Sequence, residues 1–494
     1  MGTHWIVEGK DDPRWPINTR GNIGEVFPEV LTQLSYEIGV IPAEQGWRES
    51  YQELGVLQPD DFSSVDPVII GLYGGYGYLN MSFLRIMGVR APGSSAEAID
   101  LSLFGESDAP PYEARKGDRA LWASLKILKS VMGALGQKEL PSIVDDSFEA
   151  AADFIATRPA LDASDDELLA YLRAMPGPFK RVFKNHMTST ALASIVSGVL
   201  ADASVAAGEP GLVTHLMGTA GDVRSAQYSH ELYEIAKLVK ATPGLNAAFD
   251  DGVDGLLDRV ATMDDAEEFR ERFDAFVAEH GHRGPNDWEL AGRTWDNTPE
   301  LALVAIDRMR VADEELGAEH DEAEEQAKRE AAIEKVRPHL NFLDKMNFDK
   351  ALTAAPYWSQ AREATRDRAV RLTMPVKQVY RELVRRGAER GGNPDPVAIA
   401  LLAPFDELSE YLDDPASKVD VLAERLALHA RFAAVTPRFF ITSQDEVPSI
   451  EELEAEEAAR TASATAAPGD VLTGKSGCSG VARGRVRVVN DPLE

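Results

Sequence analysis

Apolar residues recur three and four positions apart through most of residues 121–309. This spacing places them on one face of an α-helix, where they can be buried together. It is clearest in residues 121–135, 168–175, 179–200, 232–239 and 269–277, and similar patterns follow in residues 379–386, 396–402 and 405–412. We therefore predict a mainly α fold with a large helical domain.

Glycines and tyrosines are interleaved in residues 68–81, ahead of the helical region. The glycine order matches neither of the spacings by which glycine-rich loops bind phosphate, and no charged partner follows. A β-hairpin that carries Tyr73, Tyr76 and Tyr78 agrees better with this stretch. The sequence therefore predicts a small β-containing part before the helical domain.

Two stretches contain too few apolar residues to form a core. Residues 312–336 are nearly all Glu, Ala, Lys and Arg, which predicts a solvated, charged helix over about residues 303–338. Residues 451–470 are acidic at first and then rich in Ala, Thr and Ser, which predicts a flexible linker. After it, Val486 and Val488 alternate with arginines, which indicates a strand.

Composition narrows the class of protein. The 494 residues are too many for one ordinary core and suggest two to four units. A formal net charge of −31 repels phosphate backbones and anionic lipids, so we expect neither nucleic-acid nor membrane binding. The single cysteine, the lack of a signal segment and the absence of an apolar run approaching about 20 residues favour a cytoplasmic protein.

Residues 281–290, Gly-His-Arg-Gly-Pro-Asn-Asp-Trp-Glu-Leu, carry the densest candidate chemistry. Glycines and a proline end the preceding helix, and His282, Arg283, Asp287 and Glu289 follow within the turn. An apolar helix before the turn would hold these groups on a fixed scaffold. The alternative is a helix C-terminal cap, in which His282 and Arg283 bond the last carbonyls.

Two other segments suggest a binding site. Arg20, Asn22 and Glu25 lie beside two glycines, which favours a backbone that closely approaches another group, although an ordinary structured loop explains them too. His186 and Met187 lie on a helix that mixes apolar residues with Ser and Thr. Such a helix suits a pocket of mixed polarity, and core packing is the alternative.

Residues 358–367 place like charges four positions apart on one helix. Arg362 lies with Arg366, and Glu363 with Asp367. Mutual ion pairs would explain the pattern. Paired guanidinium groups that face a cleft would instead bind oxyanions.

Together these stretches resemble a known family. Residues 473–488, Thr-Gly-Lys-Ser-Gly-Cys-Ser-Gly-Val-Ala-Arg-Gly-Arg-Val-Arg-Val, resemble the opening of the swivelling phosphohistidine domain of the phosphoenolpyruvate synthase and pyruvate phosphate dikinase group. Upstream, residues 22–28, 78–81, 281–284 and 362–367 resemble the substrate-binding part of the rifampin phosphotransferase and phenylphosphate or alkylphenol phosphate synthase branch.

The resemblance implies a domain order. Residues 1–120 would be the mixed N-terminal segment of the substrate-binding domain and residues 121–450 its helical body. The linker at 451–470 would lead to residues 471–494, the incomplete start of a swivelling β/α phosphohistidine domain.

The resemblance also implies a relay. ATP and Mg²⁺ would be bound by a separate ATP-grasp subunit, because no ATP-grasp domain precedes the matching region. That subunit would phosphorylate a mobile histidine, which would pass the phosphoryl group to an acceptor hydroxyl. None of the nine histidines has the family's Ser-His-Ala setting, so we expect this chain to be incomplete without the transfer histidine and its partner.

Residue roles follow only from this resemblance. His282 or Asp287 would orient or deprotonate the acceptor, and Arg283, with Arg20 or Arg362, would contact phosphoryl oxygens. The family usually has Glu at the position of Asp287, which shortens the reach of that carboxylate.

The remaining acceptor contacts would be Asn22, Glu25, His186, Met187, Glu289 and Glu363, with no metal ligand in this chain. The expected acceptor is a phenol such as an alkylphenol. The alternatives are a rifamycin-type antibiotic or a non-catalytic scaffold role.

Overall fold

A computed structural model describes residues 14–62, 68–91, 95–104, 110–119, 121–217, 224–312, 322–402, 405–442 and 447–463, with the single residues 471 and 484. The protein is mainly helical with one small sheet, which confirms the predicted fold class.

Twenty-one α-helices make up most of the described chain. The first ten are α1 (Ile23–Val26), α2 (Gln33–Ser35), α3 (Ile41–Leu54), α4 (Met81–Arg90), α5 (Ala96–Phe104), α6 (Leu121–Leu135), α7 (Ile143–Ala156), α8 (Asp165–Ala174), α9 (Pro176–Ala206) and α10 (Val213–Leu216). The others are α11 (Arg224–Ala241), α12 (Pro243–Asp250), α13 (Leu256–Val260), α14 (Glu267–His280), α15 (Glu300–Val311), α16 (Glu322–Val336), α17 (Phe342–Glu389), α18 (Pro396–Ala400), α19 (Phe405–Asp413), α20 (Val419–Ala433) and α21 (Ile450–Ser463).

Four short antiparallel strands form the sheet. They are β1 (Asn18–Thr19), β2 (Ile70–Tyr73), β3 (Tyr76–Asn80) and β4 (Phe440–Ile441), in the order β2-β3-β1-β4. β2 and β3 form the predicted hairpin, and Gly74 and Gly75 take positive φ angles at its turn, where glycine is favoured. β4 comes from near residue 440, so the sheet joins the two ends of the described chain.

Helix α17 is the axis of the molecule, because α9 and α7 pack along its length. Helix α3 packs on the other side of α9, where a Cβ on Gly46 would lie 2.6 Å from the carbonyl oxygen of Lys180. Pro356 lies inside α17 and removes a backbone hydrogen bond to Leu352. The guanidinium of Arg329 donates to the freed carbonyl at 2.9 Å, so the irregularity is compensated.

A separate group of helices, α11 to α15, surrounds its own apolar cluster, which includes Phe249, Phe269 and Phe273. At the other side of the molecule, α20 and α21 pack with the sheet around Phe432, Ile450 and other apolar residues. The central cavity described below lies in neither of these groups. It is bounded by α1, α3, α9, α17 and the loop after α14.

Two predicted segments differ from the structure. The charged helix predicted over about 303–338 is interrupted, because Ala312 is extended after α15 and the next described helix starts at Glu322. The linker predicted at 451–470 is wrong in its first part, which belongs to α21. Leu453 is buried there, and Glu454 pairs with Arg431 at 2.8 Å. These contacts stabilise the helix, although the composition of the segment did not predict one. The predicted strand at Val486 and Val488 lies outside the described residues.

One described stretch, Asp165–Ala206, contains a window long and apolar enough to cross a membrane by length and composition alone. This window was not predicted from the sequence, because serines and threonines interrupt the apolar run without lowering its mean hydropathy much. The window is 39% buried inside the protein, and α9 packs against α3 and α17. Core helices also pass this test, so the finding is weak support for a membrane span.

Candidate functional site

A cavity of about 170 Å³ lies at the centre of the molecule. Its wall is mostly apolar and comes from segments far apart in sequence. The lining residues that matter most below are Asn22, Gly39, Phe179, Phe183, His186, Met187, Thr190, Trp288, Arg366 and Lys377. Close-packed helices surround the cavity. It is therefore a feature of the folded interior and not a shallow depression on the surface.

Backbone irregularities meet at this cavity. Asn22 has φ 64° and ψ −52°, and Ile23 N donates to Gly21 O across it at 2.8 Å, which is a strained γ-turn. Asn22 is the sole non-glycine residue with positive φ among the described residues. Tyr36–Val40 is a π-helical segment that contributes Gly39 to the wall. Such departures cluster at functional sites.

The polar groups of the wall lie at two levels along α17. Arg366 and Lys377 are eleven residues apart on this helix, which corresponds to about 16 Å along its axis. His186 and Thr190 face the cavity from α9, and the Thr190 hydroxyl is buried without a hydrogen-bond partner in the described chain. Arg366 is half-buried, whereas Lys377 is 1% exposed. Lys377 therefore marks the closed end of the cavity.

Burial controls the charge of the two titratable wall groups. It lowers the pKa of Lys377 to about 8, although the nearby carboxylates of Asp287 and Glu289 act in the opposite direction. It also lowers the pKa of His186 to about 3, and the positive charges of Arg366 and Arg362 add to the effect. His186 is therefore neutral near pH 7, and Lys377 is a cation that is costly to keep in place.

Asp367 accepts from two residues of the turn that follows α14. Arg283 donates to its carboxylate at 2.9 Å, and His282 Nε2 lies 3.3 Å from the same oxygen. Arg368 is 3.4 Å from the other oxygen and Arg371 is 3.8 Å from it. We call these five residues the Asp367 cluster.

The cluster settles the orientation of His282 and Arg283. Burial alone would raise the pKa of Asp367, but the His282 hydrogen bond and the Arg283 and Arg368 charges outweigh it, so its pKa is well below the usual range. Burial lowers the pKa of His282, against the effect of Asp367. The side chains of His282 and Arg283 neither cap α14 nor line the cavity, although the backbone amide of Arg283 donates to the carbonyl of His280, the last residue of α14, at 2.9 Å. They fasten the turn to α17 instead.

The two acidic residues of the turn are also occupied by the fold. Asp287 accepts from Gly284 N at 2.6 Å and closes the turn. Glu289 accepts from the Thr32 amide and hydroxyl and from the hydroxyl of Ser35, at 2.6–3.0 Å. The predicted roles of both as cavity groups are therefore corrected: their carboxylates anchor the turn, and its Trp288 reaches the wall.

The structure corrects four further predicted contacts. Arg20 donates to the carbonyls of Gly77 at 2.6 Å and Phe27 at 2.9 Å, so its guanidinium braces the N-terminal segment. Arg362 pairs with Glu363 at 3.0 Å on the surface. Glu25 is exposed and, like these three residues, does not line the cavity. Backbone carbonyls bind the charge of Arg20, and Arg362 and Glu363 neutralise each other.

Three predicted contacts do reach the cavity, and the structure adds others. Asn22, His186 and Met187 line it, with Asn22 at an exposed position. Lys377 and Trp288 were missed. The helical spacing of Thr373, Val376 and Lys377 was the available signal, but it does not say which partner covers that face of α17.

Part of this region is similar to a known protein family. Residues 185–368 match the family described as the rifampicin phosphotransferase fourth domain, a stretch that runs from α9 to Arg368 of the Asp367 cluster. Uncharacterized proteins of Mycobacterium bovis and Mycobacterium tuberculosis are 30% identical over 236 residues, which is 47% of this chain. The chain matches 23% of the length of these relatives. Over residues 185–368 the chain is therefore similar to a domain of the rifampicin phosphotransferase group.

Proposed function

We propose that this chain holds the acceptor of an ATP-dependent phosphotransferase, and that the acceptor is a small phenol bound in the central cavity. The observation that carries the proposal is a mostly apolar cavity, closed at one end, with cationic side chains in its wall. The family match supports the reaction class, since it covers the parts of α9 and α17 that carry His186 and Arg366.

Cavity size favours a single ring. An apolar protein cavity of about 150 Å³ holds benzene, and this cavity measures about 170 Å³. Phe179, Phe183 and Trp288 line it and supply ring edges and faces for an aromatic guest. A rifamycin macrocycle is several times larger than a benzene ring, so it would require the wall helices to separate.

Charge favours transfer to oxygen. Phosphoryl transfer depends on alignment of the nucleophile and on cations that offset the charge of the moving group. Arg366 lines the cavity, and no carboxylate pairs with it in the described part of the chain. A phenol has a pKa near about 10 and needs less help from a base than an aliphatic alcohol does. A fixed cation at the accessible end suits such an acceptor.

The donor is proposed to be a phosphohistidine on a swivelling domain, charged by a separate ATP-grasp subunit that binds ATP and Mg²⁺. The opening motif at 473–488 supports the swivelling domain. A carrier joined to the acceptor domain by a chain segment acts at high effective concentration without a permanent interface. The cytoplasm is the compartment that this ATP-dependent relay requires.

Reconstitution tests the proposal. The complete subunit is mixed with its ATP-grasp partner, ATP, Mg²⁺ and either phenols or a rifamycin, and AMP and phosphorylated product are followed. We expect aryl phosphate from phenols and none from the rifamycin. Product from the rifamycin alone would show that the acceptor class is wrong. Arg366→Met should lower turnover at least tenfold, whereas Arg362→Met, one turn away on the surface, should leave it unchanged.

A further inference from the structure

Lys377, at the closed end of the cavity, has N–H donors that no described residue accepts. Its ammonium donates once, to the backbone carbonyl of Asp287 at 2.9 Å. Among the residues that the structure describes, no carboxylate lies within ion-pair distance of it. An ammonium carries three donors, so two remain for another partner. A buried cation with unused donors points to a ligand.

The surrounding charges specify the kind of ligand. From the turn after α14, the carboxylates of Asp287 and Glu289 act on Lys377, with that of Asp296 beyond them, and from α17 the guanidinium of Arg381 does. From α9, His186 is neutral near pH 7. The acidic groups outnumber the cations here, so an anionic ligand would meet repulsion. An uncharged oxygen acceptor satisfies the ammonium without adding negative charge.

The position of Lys377 then specifies the shape of the guest. Arg366 and Thr190 line the same cavity at the accessible level, about 16 Å of helix axis away from Lys377. The long side chains of Arg366 and Lys377 can lean toward each other and shorten this separation, so that a ring with oxygens at opposite ends places its hydroxyl at Arg366 and its second oxygen at Lys377. A ring with an alkyl group in that place would leave the ammonium unsatisfied.

We propose that the acceptor is a phenol with an uncharged oxygen substituent opposite the hydroxyl, and that Lys377 binds this substituent and selects for it. The inference rests on the proposed function, since it concerns the same cavity. Lys377 here is a specificity residue: it holds the far end of the guest, which leaves the hydroxyl at the end that a phosphoryl donor can reach.

A matched ligand pair tests this by calorimetry. 4-Hydroxyacetophenone and 4-isopropylphenol are similar in size, and the ketone has a carbonyl oxygen where the alkylphenol has a methyl group. The wild-type chain should bind the ketone about 10- to 100-fold more tightly, as a hydrogen bond to a charged group provides. Lys377→Met should abolish this preference, and the surface variant Lys350→Met should keep it.

The outcomes separate the two proposals. If the wild type binds neither ligand, the phenol cavity itself is refuted. If it binds both with equal affinity, the proposed function stands and the role of Lys377 is refuted. Tighter binding of 4-hydroxybenzoate than of the ketone would overturn the choice of an uncharged substituent.

A second measurement does not depend on the variant. Near pH 8 ketone binding should take up protons, seen as a dependence of the binding enthalpy on the buffer, and 4-isopropylphenol should not show this effect. Equal proton uptake for the two ligands would contradict the contact with Lys377.

Discussion

At the scale of single residues, Lys377 is a buried cation with no carboxylate within ion-pair distance among the described residues. An ordinary lysine has a pKa of 10.5, and burial lowers that of Lys377 to about 8. Between these values the unfolded chain holds a proton that the folded chain has released. Stability therefore rises with pH across this window, and the full cost of burying the cation applies below it.

Lys377→Met removes this dependence. Compared with the variant, the wild type should gain on the order of 3 kcal/mol in unfolding free energy between pH 7 and pH 10.5. Urea denaturation of both proteins at the two pH values measures it. Parallel pH dependences would show that Lys377 is not a buried cation in the folded protein.

Asp367 differs from Lys377, because its buried carboxylate has charged partners and holds their side chains in place. Asp367→Asn leaves the buried guanidinium of Arg283 without its carboxylate partner, and we expect a loss of about 3 kcal/mol in stability. Glu363→Gln on the same helix breaks an exposed pair with Arg362 and should cost less than about 1 kcal/mol. Thermal unfolding compares the two variants, and equal losses would argue against the Asp367 cluster as the anchor of the turn.

At the scale of elements, two glycines near α3 have opposite surroundings. A Cβ on Gly39 would meet nothing within 4 Å, because the residue faces the cavity. A Cβ on Gly46 would lie 2.6 Å from Lys180 O and would push α3 away from α9.

Alanine at each position tests this contrast. Gly39→Ala should leave stability unchanged or slightly raised, whereas Gly46→Ala should lower it by about 1–3 kcal/mol. Denaturation midpoints of the two variants are the measurement. A loss at Gly39 as large as that at Gly46 would mean that the space beside Gly39 is filled.

Sequence patterns correctly predicted the elements whose structure depends mainly on residues close together in the sequence. The hairpin around Tyr73 and Tyr76, and the end of α14 at His280, follow from local residue types. The π-helical segment and the γ-turn at Asn22 were not predictable in this way. They depend on contacts between distant segments, such as Glu289 with Thr32.

The same reason limits prediction of the candidate site. A polar turn at 281–290 was recognisable, but its charges bind Asp367 and Thr32 instead of facing the cavity. The contact of Lys377 with the cavity could not be predicted from its place on a long amphipathic helix. Helical spacing shows which residues share a face of the helix, but it does not show which elements pack against that face. His186 and Met187 could be placed on a pocket wall because small polar residues accompany them on α9.

At the scale of the whole molecule, α21, the last described helix, packs against the sheet. Leu453 is buried in the cluster that contains Phe432, so Leu453→Ala should cost about 2–3 kcal/mol. Glu456→Gln, which breaks an exposed pair with Arg438, should cost less than about 1 kcal/mol. Chemical denaturation checks both changes. A negligible effect of Leu453→Ala would indicate that this segment is a free tether after all.

The central claim is that the cavity binds one small phenol, and calorimetric titration of phenol into the chain tests it most directly. Gly39→Leu is the matched variant, since Gly39 lines the cavity and a Cβ at this position would meet nothing within 4 Å. The account predicts one binding site per chain in the wild type and at least tenfold weaker binding in Gly39→Leu. No binding to the wild type, or equal binding to both proteins, would contradict it.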